Sequence, residues 1–505
     1  MIFSSNPFIF AFLPTALAGY YLLAAIKPEF SAVWLIAASL FFYGYWNPSY
    51  LLLLLGSITW NFAMGSWIFR IREGSQRLSF MILAAAILGN LVLLAYYKYL
   101  FPTIGYLAVH HLVPETWERE VVLPLGISFF TFTQIGYLVD SYMGTARDRG
   151  LISYVLFVTF FPHLIAGPIL HNREVMPQFA ERKTFQFRVE NLGIGVAIFA
   201  FGLAKKVLLA DPLGFEADVG FADPYTLGII SAWRVALSYS LQLYFDFSGY
   251  SDMAIGLARM FGIIFPVNFN SPYKATSIID FWARWHMTLT RYITLYLYNP
   301  VAMKASRRWL KQGRSVSRKG TRNPAAFIRL VLAPTFFTMA LAGIWHGAGL
   351  QFLLFGLLHA TYLSINHAWR IFGPENHKPS QFQNLGFLAI TYLSVLLAQI
   401  FFRANSATDA MSIAAAMIGH TNALSEPVHG FVGVRILLGF ALCLLFPNTQ
   451  QIMCGFNPVL EHVKPPQGLT FRWQPSFGWG MVSGAMLFVA LIRMSDVSKF
   501  LYFQF

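Results

Sequence analysis

Charge is what this sequence has least of. Acidic and basic side chains make up 11% of its 505 residues and hydrophobic ones 56%, where an ordinary soluble domain carries about 25% charged residues. That balance excludes a soluble globular enzyme. Cysteine is nearly absent: Cys443 and Cys454 are the two present, which rules out a disulfide framework and a cysteine-built metal site. Neither lies in a basic or polar setting that would favour a thiolate, so a cysteine nucleophile is not expected. The motifs of soluble catalysts are missing too. There is no Gly-x-Ser-x-Gly elbow, no phosphate-binding Gly-rich loop ending in Lys-Ser/Thr, and no His-Glu-x-x-His. No histidine is followed four or five positions later by an aspartate, a pairing common in soluble acyltransferases. Polar stretches (171–188, 304–324 and 370–382) are only linker-sized, and no internal repeat is visible.

What is present is apolar sequence in runs of membrane-spanning length. They fall at 8–26, 31–46, 49–69, 80–97, 121–139, 151–170, 189–210, 226–247, 325–345, 350–366, 384–402, 430–446 and 478–495. A span needs about 20 apolar residues, and with the shorter runs re-entrant or tilted, around eleven spans are expected. MIFSSNP carries no Lys or Arg ahead of the first run, so 8–26 reads as a retained span rather than a cleaved signal. The fold class expected is therefore an all-α polytopic membrane protein. It reads as one membrane domain, with N-terminal helices over 1–160, a core over 161–366 and C-terminal helices over 367–505.

The net charge of +14 follows topology rather than nucleic acid. Eight basic residues and no acid lie between Lys304 and Arg322. Cytoplasmic loops collect Lys and Arg, so this loop is placed in the cytoplasm, as is Arg70–Arg77, with the N-terminus outside. Arg307, Arg308, Lys311 and Arg314 are candidates to contact donor phosphates, against the plainer roles of topology signal and anionic-lipid contact.

Three regions read as broken rather than spanning. FPHLIAGPIL (161–170) has prolines on both sides of His163, and a helix does not run smoothly through proline. ADPLGFEADVGFADP (210–224) mixes four acids with Gly and Pro and reads as an exposed loop. IIDFWARWHMTLTRYITLYLYNP (278–300) interleaves aromatic and basic residues around His286, the pattern of an interfacial helix. Irregular backbone within a membrane protein is tolerated where it lines a cavity.

Ionisable groups inside spans are costly and mark function by default. His346, in GIWHGAG, is flanked by Trp345 and by glycines that clear space around an imidazole. It lies seventeen residues beyond Arg329, about 25 Å along a helix and so deep in the bilayer. His359 is thirteen residues further on, about 220° round a continuous helix, and is assigned to packing. In FWARWHMTLTRY, His286 follows Trp285, and Asp280 and Arg284 are spaced to pair on one face. LQLYFDFSGYSDMAIGLARMFG (241–262) sets Gln242, Asp246, Ser248, Ser251 and Asp252 among apolar residues. A hydrogen-bonded packing network is favoured there over catalysis, and no metal ligand spacing is evident.

These stretches resemble the membrane-bound O-acyltransferase (MBOAT) family, in its bacterial branch that includes the alginate O-acetyltransferase membrane subunit. The resemblance is carried by MIFSSNPFIFAFLP, VLPLGISFFTF, FPHLIAGPIL, LYFDFSGYSDMAIGLARMFG, DFWARWHMTLTRY and GIWHGA, in that order over about residues 1–366. It implies a ring of helices around a central channel, with His346 as the essential histidine and His286 as a second polar landmark. It also implies acetyl-CoA as donor substrate with no bound cofactor, periplasmic partner proteins, an exopolysaccharide acceptor and a bacterial inner-membrane location. Trp285, Trp345, Gln242, Asp246, Ser248, Asp252 and His163 are the candidates to line the channel. LYLYNPVAMKASRRW (295–309) departs from the family pattern, which leaves the acceptor and partner contacts open. D-alanyl transfer from a carrier protein, a proton-coupled secondary transporter and a non-catalytic scaffold are the alternatives. Acyl transfer itself needs a base near neutral pH, and imidazole is the side chain suited to it.

Overall fold

The computed structural model describes residues 1–117, 121–146, 150–374, 379–420, 430–465, 471–494 and 501. Part of the polar stretch 370–382 lies outside them. Among the described residues every regular element is helical. Six helices are long and apolar enough to cross a membrane: α1 (Pro7–Ile26), α3 (Ser49–Ile71), α4 (Gln76–Val109), α7 (Val189–Ala222), α12 (Pro324–His346) and α14 (Gln381–Arg403). Shorter or more buried helices lie among them: α2 (Pro28–Gly44), α5 (Ile127–Met143), α6 (Leu151–Thr159), α8 (Ile229–Met260), α9 (Ile278–Trp282), α10 (Met287–Ile293), α11 (Asn299–Lys311), α13 (Leu350–Phe372), α15 (Ala407–Met417), α16 (Gly430–Leu445) and α17 (Phe477–Arg493). The chain is a multi-pass membrane protein.

The described residues form two compact units, and α7 and α8 each supply residues to both. The first unit contains 1–208, 247–267 and the segment from Thr449 onward. Apolar attraction between helices is weak in lipid, so packing there depends on small residues and polar pairs. Asn61 and Asn90 exchange amide hydrogen bonds at 3.1 and 2.7 Å, and Gln134 links Ser57 to Tyr154. Where α7 crosses α8, a Cβ on Gly195 would lie 2.6 Å from the Gly256 carbonyl oxygen, so the two backbones touch.

The first unit also resolves two of the polar candidates. Asp252 accepts from Lys205 at 2.6 Å, Thr449 at 2.6 Å and Gln450 at 2.9 Å. Asp252 thus takes the packing role favoured for the 241–262 stretch, and both its carboxylate oxygens are engaged. The 151–170 run is helical only over Leu151–Thr159 and a single further turn, Phe161–Leu164. Beyond it the backbone is irregular and buried, as the two prolines require. His163 reaches back to the last turn of α6, its Nε2 lying 2.7 Å from the Phe157 carbonyl oxygen.

The second unit contains 209–246 and 268–448, and here one sequence expectation fails. Residues 210–224 are not an exposed loop: Asp211–Ala222 continues α7 as a helix that buries Leu213, Ala217 and Phe221. Two of its three acids are matched by arginines from other helices. Glu216 pairs with Arg234 at 2.5 Å and Asp218 with Arg403 at 2.6 Å. Pairing removes the penalty that made a helix look implausible from composition alone.

Candidate active site

α12 and α13 form a tight hairpin in the second unit. A Cβ on Gly343 would collide with the Phe352 carbonyl oxygen, and one on Gly356 with that of Met339. The helices therefore meet backbone to backbone, which only glycine at both positions allows. α12 stops at His346, and the chain passes through extended residues, Gly347 at φ −172° and Gly349 at φ −111°, before α13 begins.

His346 is thus the last helical residue before a break, and it is buried. Its ring packs against Trp345 at 4.8 Å, Phe402 of α14 at 4.9 Å and Phe355 of α13 at 5.7 Å between centroids. The Phe355 and Phe402 contacts are edge-on, which orients the imidazole ring.

The break also corrects the reading of His359. An angle of about 220° assumes one continuous helix, but the two histidines lie on separate antiparallel helices that fold together. Phe355 touches both rings, standing 4.8 Å from His359. Trp282 of α9 donates its indole N–H to His359 Nδ1 at 3.3 Å, and Phe281 stacks on Trp285 at 5.6 Å. An unbroken row of rings therefore runs from His346 through Phe355 and His359 to the segment carrying Trp285 and His286. His359→Ala is accordingly expected to be more than a silent control. It removes the middle of this row and should slow acyl transfer by about tenfold or more, as small displacements of reacting groups do. A comparison of turnover at saturating donor between wild type and this variant checks it.

The 278–300 segment is not one interfacial helix. α9 ends at Trp282, and α10 begins after His286, which adopts φ +41°. Left-handed backbone at a non-glycine residue costs of order 1–3 kcal/mol and persists where surroundings over-determine it. Those surroundings are visible. Met287 donates its N–H to the Asn268 carbonyl at 2.9 Å, and Asn270 donates to the Arg284 carbonyl at 2.9 Å. Arg284 also pairs with Asp280 at 2.9 Å, as the spacing predicts. His286 Nδ1 lies 3.0 Å from Asn268 Oδ1, which also accepts from the Thr288 hydroxyl at 2.9 Å. An oxygen acceptor requires Nδ1 to carry the hydrogen, which makes Nε2 the basic nitrogen of this imidazole.

Trp285 is walled by Phe269 at 5.1 Å, Tyr244 at 6.3 Å and Tyr273 at 6.4 Å. Tyr273 in turn belongs to a buried hydroxyl network with Ser240, Tyr392 and Gln399. The second unit thus brings together His346, Trp345, His286 and Trp285, and it also contains Gln242 and Asp246, both buried on α8. His163, Ser248 and Asp252 belong to the first unit. Arg307, Arg308, Lys311 and Arg314 are exposed on or just after α11, whose Trp309 is buried beneath the Arg314 guanidinium at 4.6 Å. Sequence reasoning missed Asn268, Phe355 and Phe402. Asn268 sits in an unremarkable PVNFN run, and an apolar Phe in an apolar helix carries no signal of its neighbour.

A helical membrane chain with a buried imidazole at a helix break defines a class that comparison makes specific. The membrane-bound O-acyltransferase family matches residues 112–314. The peptidoglycan O-acetyltransferase of Helicobacter pylori is 38% identical over an alignment covering 100% of this chain and 98% of that one. A probable alginate O-acetylase of Pseudomonas putida is 36% identical, with 100% of both chains covered. The teichoic acid D-alanyltransferase of Bacillus subtilis is 27% identical over 50% of this chain and 61% of its own. The chain belongs to the membrane-bound O-acyltransferase family. It is a multi-pass O-acyltransferase, as the resemblance implied, and likeness to the O-acetylating relatives extends over twice as much of it as likeness to the D-alanylating one.

Proposed function

We propose that this enzyme moves acetyl groups from acetyl-CoA, bound from the cytoplasm, to hydroxyl groups of an extracytoplasmic polysaccharide at the bacterial inner membrane. The observation that carries the reading is His346, a buried imidazole at the end of a span, oriented by aromatic edges beside a glycine-lined break. The incoming hydroxyl oxygen attacks the thioester carbonyl carbon while His346 takes its proton. The carbon–sulfur bond then breaks, and the proton passes to the departing CoA thiolate, so the imidazole returns to its starting state. His286 is the second functional imidazole, fixed by Asn268 and available through Nε2 to bind or relay.

The acetyl group is the traveller in this scheme. A hydrated polymer threaded through a helical bundle would leave many polar groups unpaired, each at a cost of a few kcal/mol, whereas an acetyl group is small and neutral. The polysaccharide can then stay outside, reached directly or through a periplasmic partner protein. Full-length likeness to enzymes named for peptidoglycan and alginate O-acetylation supports a polysaccharide acceptor.

Sealed vesicles with acetyl-CoA confined to one face test the direction. Transfer is expected only with donor on the cytoplasmic face, and equal transfer from the other face would overturn it. Neutralising Arg307, Arg308, Lys311 and Arg314 together should raise the KM for acetyl-CoA several-fold or more, since each exposed ion pair lost contributes about 0.2–1 kcal/mol. Orientation is read independently by Gly313→Cys. A membrane-impermeant thiol reagent should label it in inverted vesicles and leave it unlabelled in intact cells.

A further inference from the structure

α7 and α17 leave a cleft of about 700 Å³ between them within the first unit. It exists because the residues facing it are small. Gly193 on α7 and Gly480 and Gly484 on α17 have no atom within 4 Å of where a Cβ would stand. Ala197, Trp473 and Trp479 continue an almost wholly apolar wall, in which Glu190 is the one charged residue. Trp479 packs on Phe201 at 6.5 Å. Phe201 is eleven residues along α7 from Glu190, about 16 Å by helical rise, so the cleft is a long slot with Glu190 at one end and tryptophan at the other.

The Glu190 end is not electrically neutral. Arg259, near the end of α8, lies within electrostatic reach of both Glu190 and Arg188, and its buried Nε has no hydrogen-bond partner among the described residues. Arg188, two residues before Glu190, and Arg259 therefore set two guanidinium groups in the electrostatic neighbourhood of one carboxylate on the slot wall. Water would find too few partners along the walls to fill it, and an empty slot would forfeit dispersion contacts along its whole length.

We propose that this cleft is a binding site for an anionic phospholipid, with one acyl chain lying along Gly193, Ala197, Gly480 and Gly484 and the phosphate on Arg188 and Arg259. The surplus positive charge selects an anionic head group over a zwitterionic one, as basic pockets between membrane helices do. The site is separate from the residues assigned to acyl transfer and does not depend on that assignment.

Native mass spectrometry of the full chain, purified from bilayers of phosphatidylglycerol and phosphatidylcholine in equal amounts, tests it. The wild type should retain at least one phosphatidylglycerol through delipidation, several-fold in excess of phosphatidylcholine. Gly193→Leu with Gly480→Leu fills the slot from positions where an added Cβ meets no atom within 4 Å, so it should lose that lipid while its Tm stays at the wild-type value. Arg188→Gln with Arg259→Gln should erase the preference for phosphatidylglycerol. Equal retention of the two lipids by the wild type would overturn the proposal, as would undiminished phosphatidylglycerol on the filled variant. So would a change in oligomeric mass in place of lipid loss, which would mark the Gly480–Gly484 face as a contact for another chain.

Discussion

Purified His346→Ala protein is expected to transfer acyl groups about 10² to 10⁴ times more slowly than wild type, the range that a positioned general base contributes. The substitution removes the only titratable group at the end of α12 and leaves the hairpin glycines untouched. His346 is held by edge-on ring contacts with Phe355 and Phe402, so its loss opens a cavity among those rings. Inserted protein should still be recovered, with a lower Tm. His346→Gln keeps more of the volume and separates the effects: it should recover stability and not activity. Acetyl transfer within a few-fold of wild type in both variants would refute the assignment of the base.

Gly343→Val and Gly356→Val are expected to damage the molecule more broadly. At each position the new Cβ collides with a carbonyl oxygen of the facing helix, Phe352 for one and Met339 for the other. Backbone cannot rotate away as a side chain can, so the hairpin must open. Overpacking in a core costs typically 1–3 kcal/mol, and more where the neighbour is fixed. Both variants should show a clear fall in Tm and in yield of monodisperse protein, together with loss of transfer, because His346 is three residues from Gly343. Gly386→Val on α14 is the matched control. No atom lies within 4 Å of its Cβ position, and it should behave as wild type. Unchanged melting of both hairpin variants would show that the close approach is not needed.

Composition and periodicity by themselves determined a good deal. Few charges and repeated apolar runs identify a helical membrane protein, because hydrocarbon admits only backbone whose polar groups are satisfied internally. The long runs near 8–26, 49–69, 325–345 and 384–402 each became a span-length helix. Proline placement exposed the break at 161–170, and a lone imidazole amid glycines singled out His346, since both signals are local. The Asp280–Arg284 pair was legible for the same reason: it is a contact within one helical turn and its flank.

Only the tertiary structure decided the rest. Residues 210–224 read as a loop because pairing of Glu216 and Asp218 with arginines on α8 and α14, far off in sequence, is not visible along the chain. His359 looked remote from His346 because angular spacing assumes an unbroken helix, and three non-helical residues cancel that assumption. His286 is held at positive φ by hydrogen bonds to the 268–270 segment, a conformation no local pattern encodes. The physical reason is common to all three. Charge pairing, ring packing and backbone strain are properties of two segments at once, and a sequence read along its length presents one segment at a time.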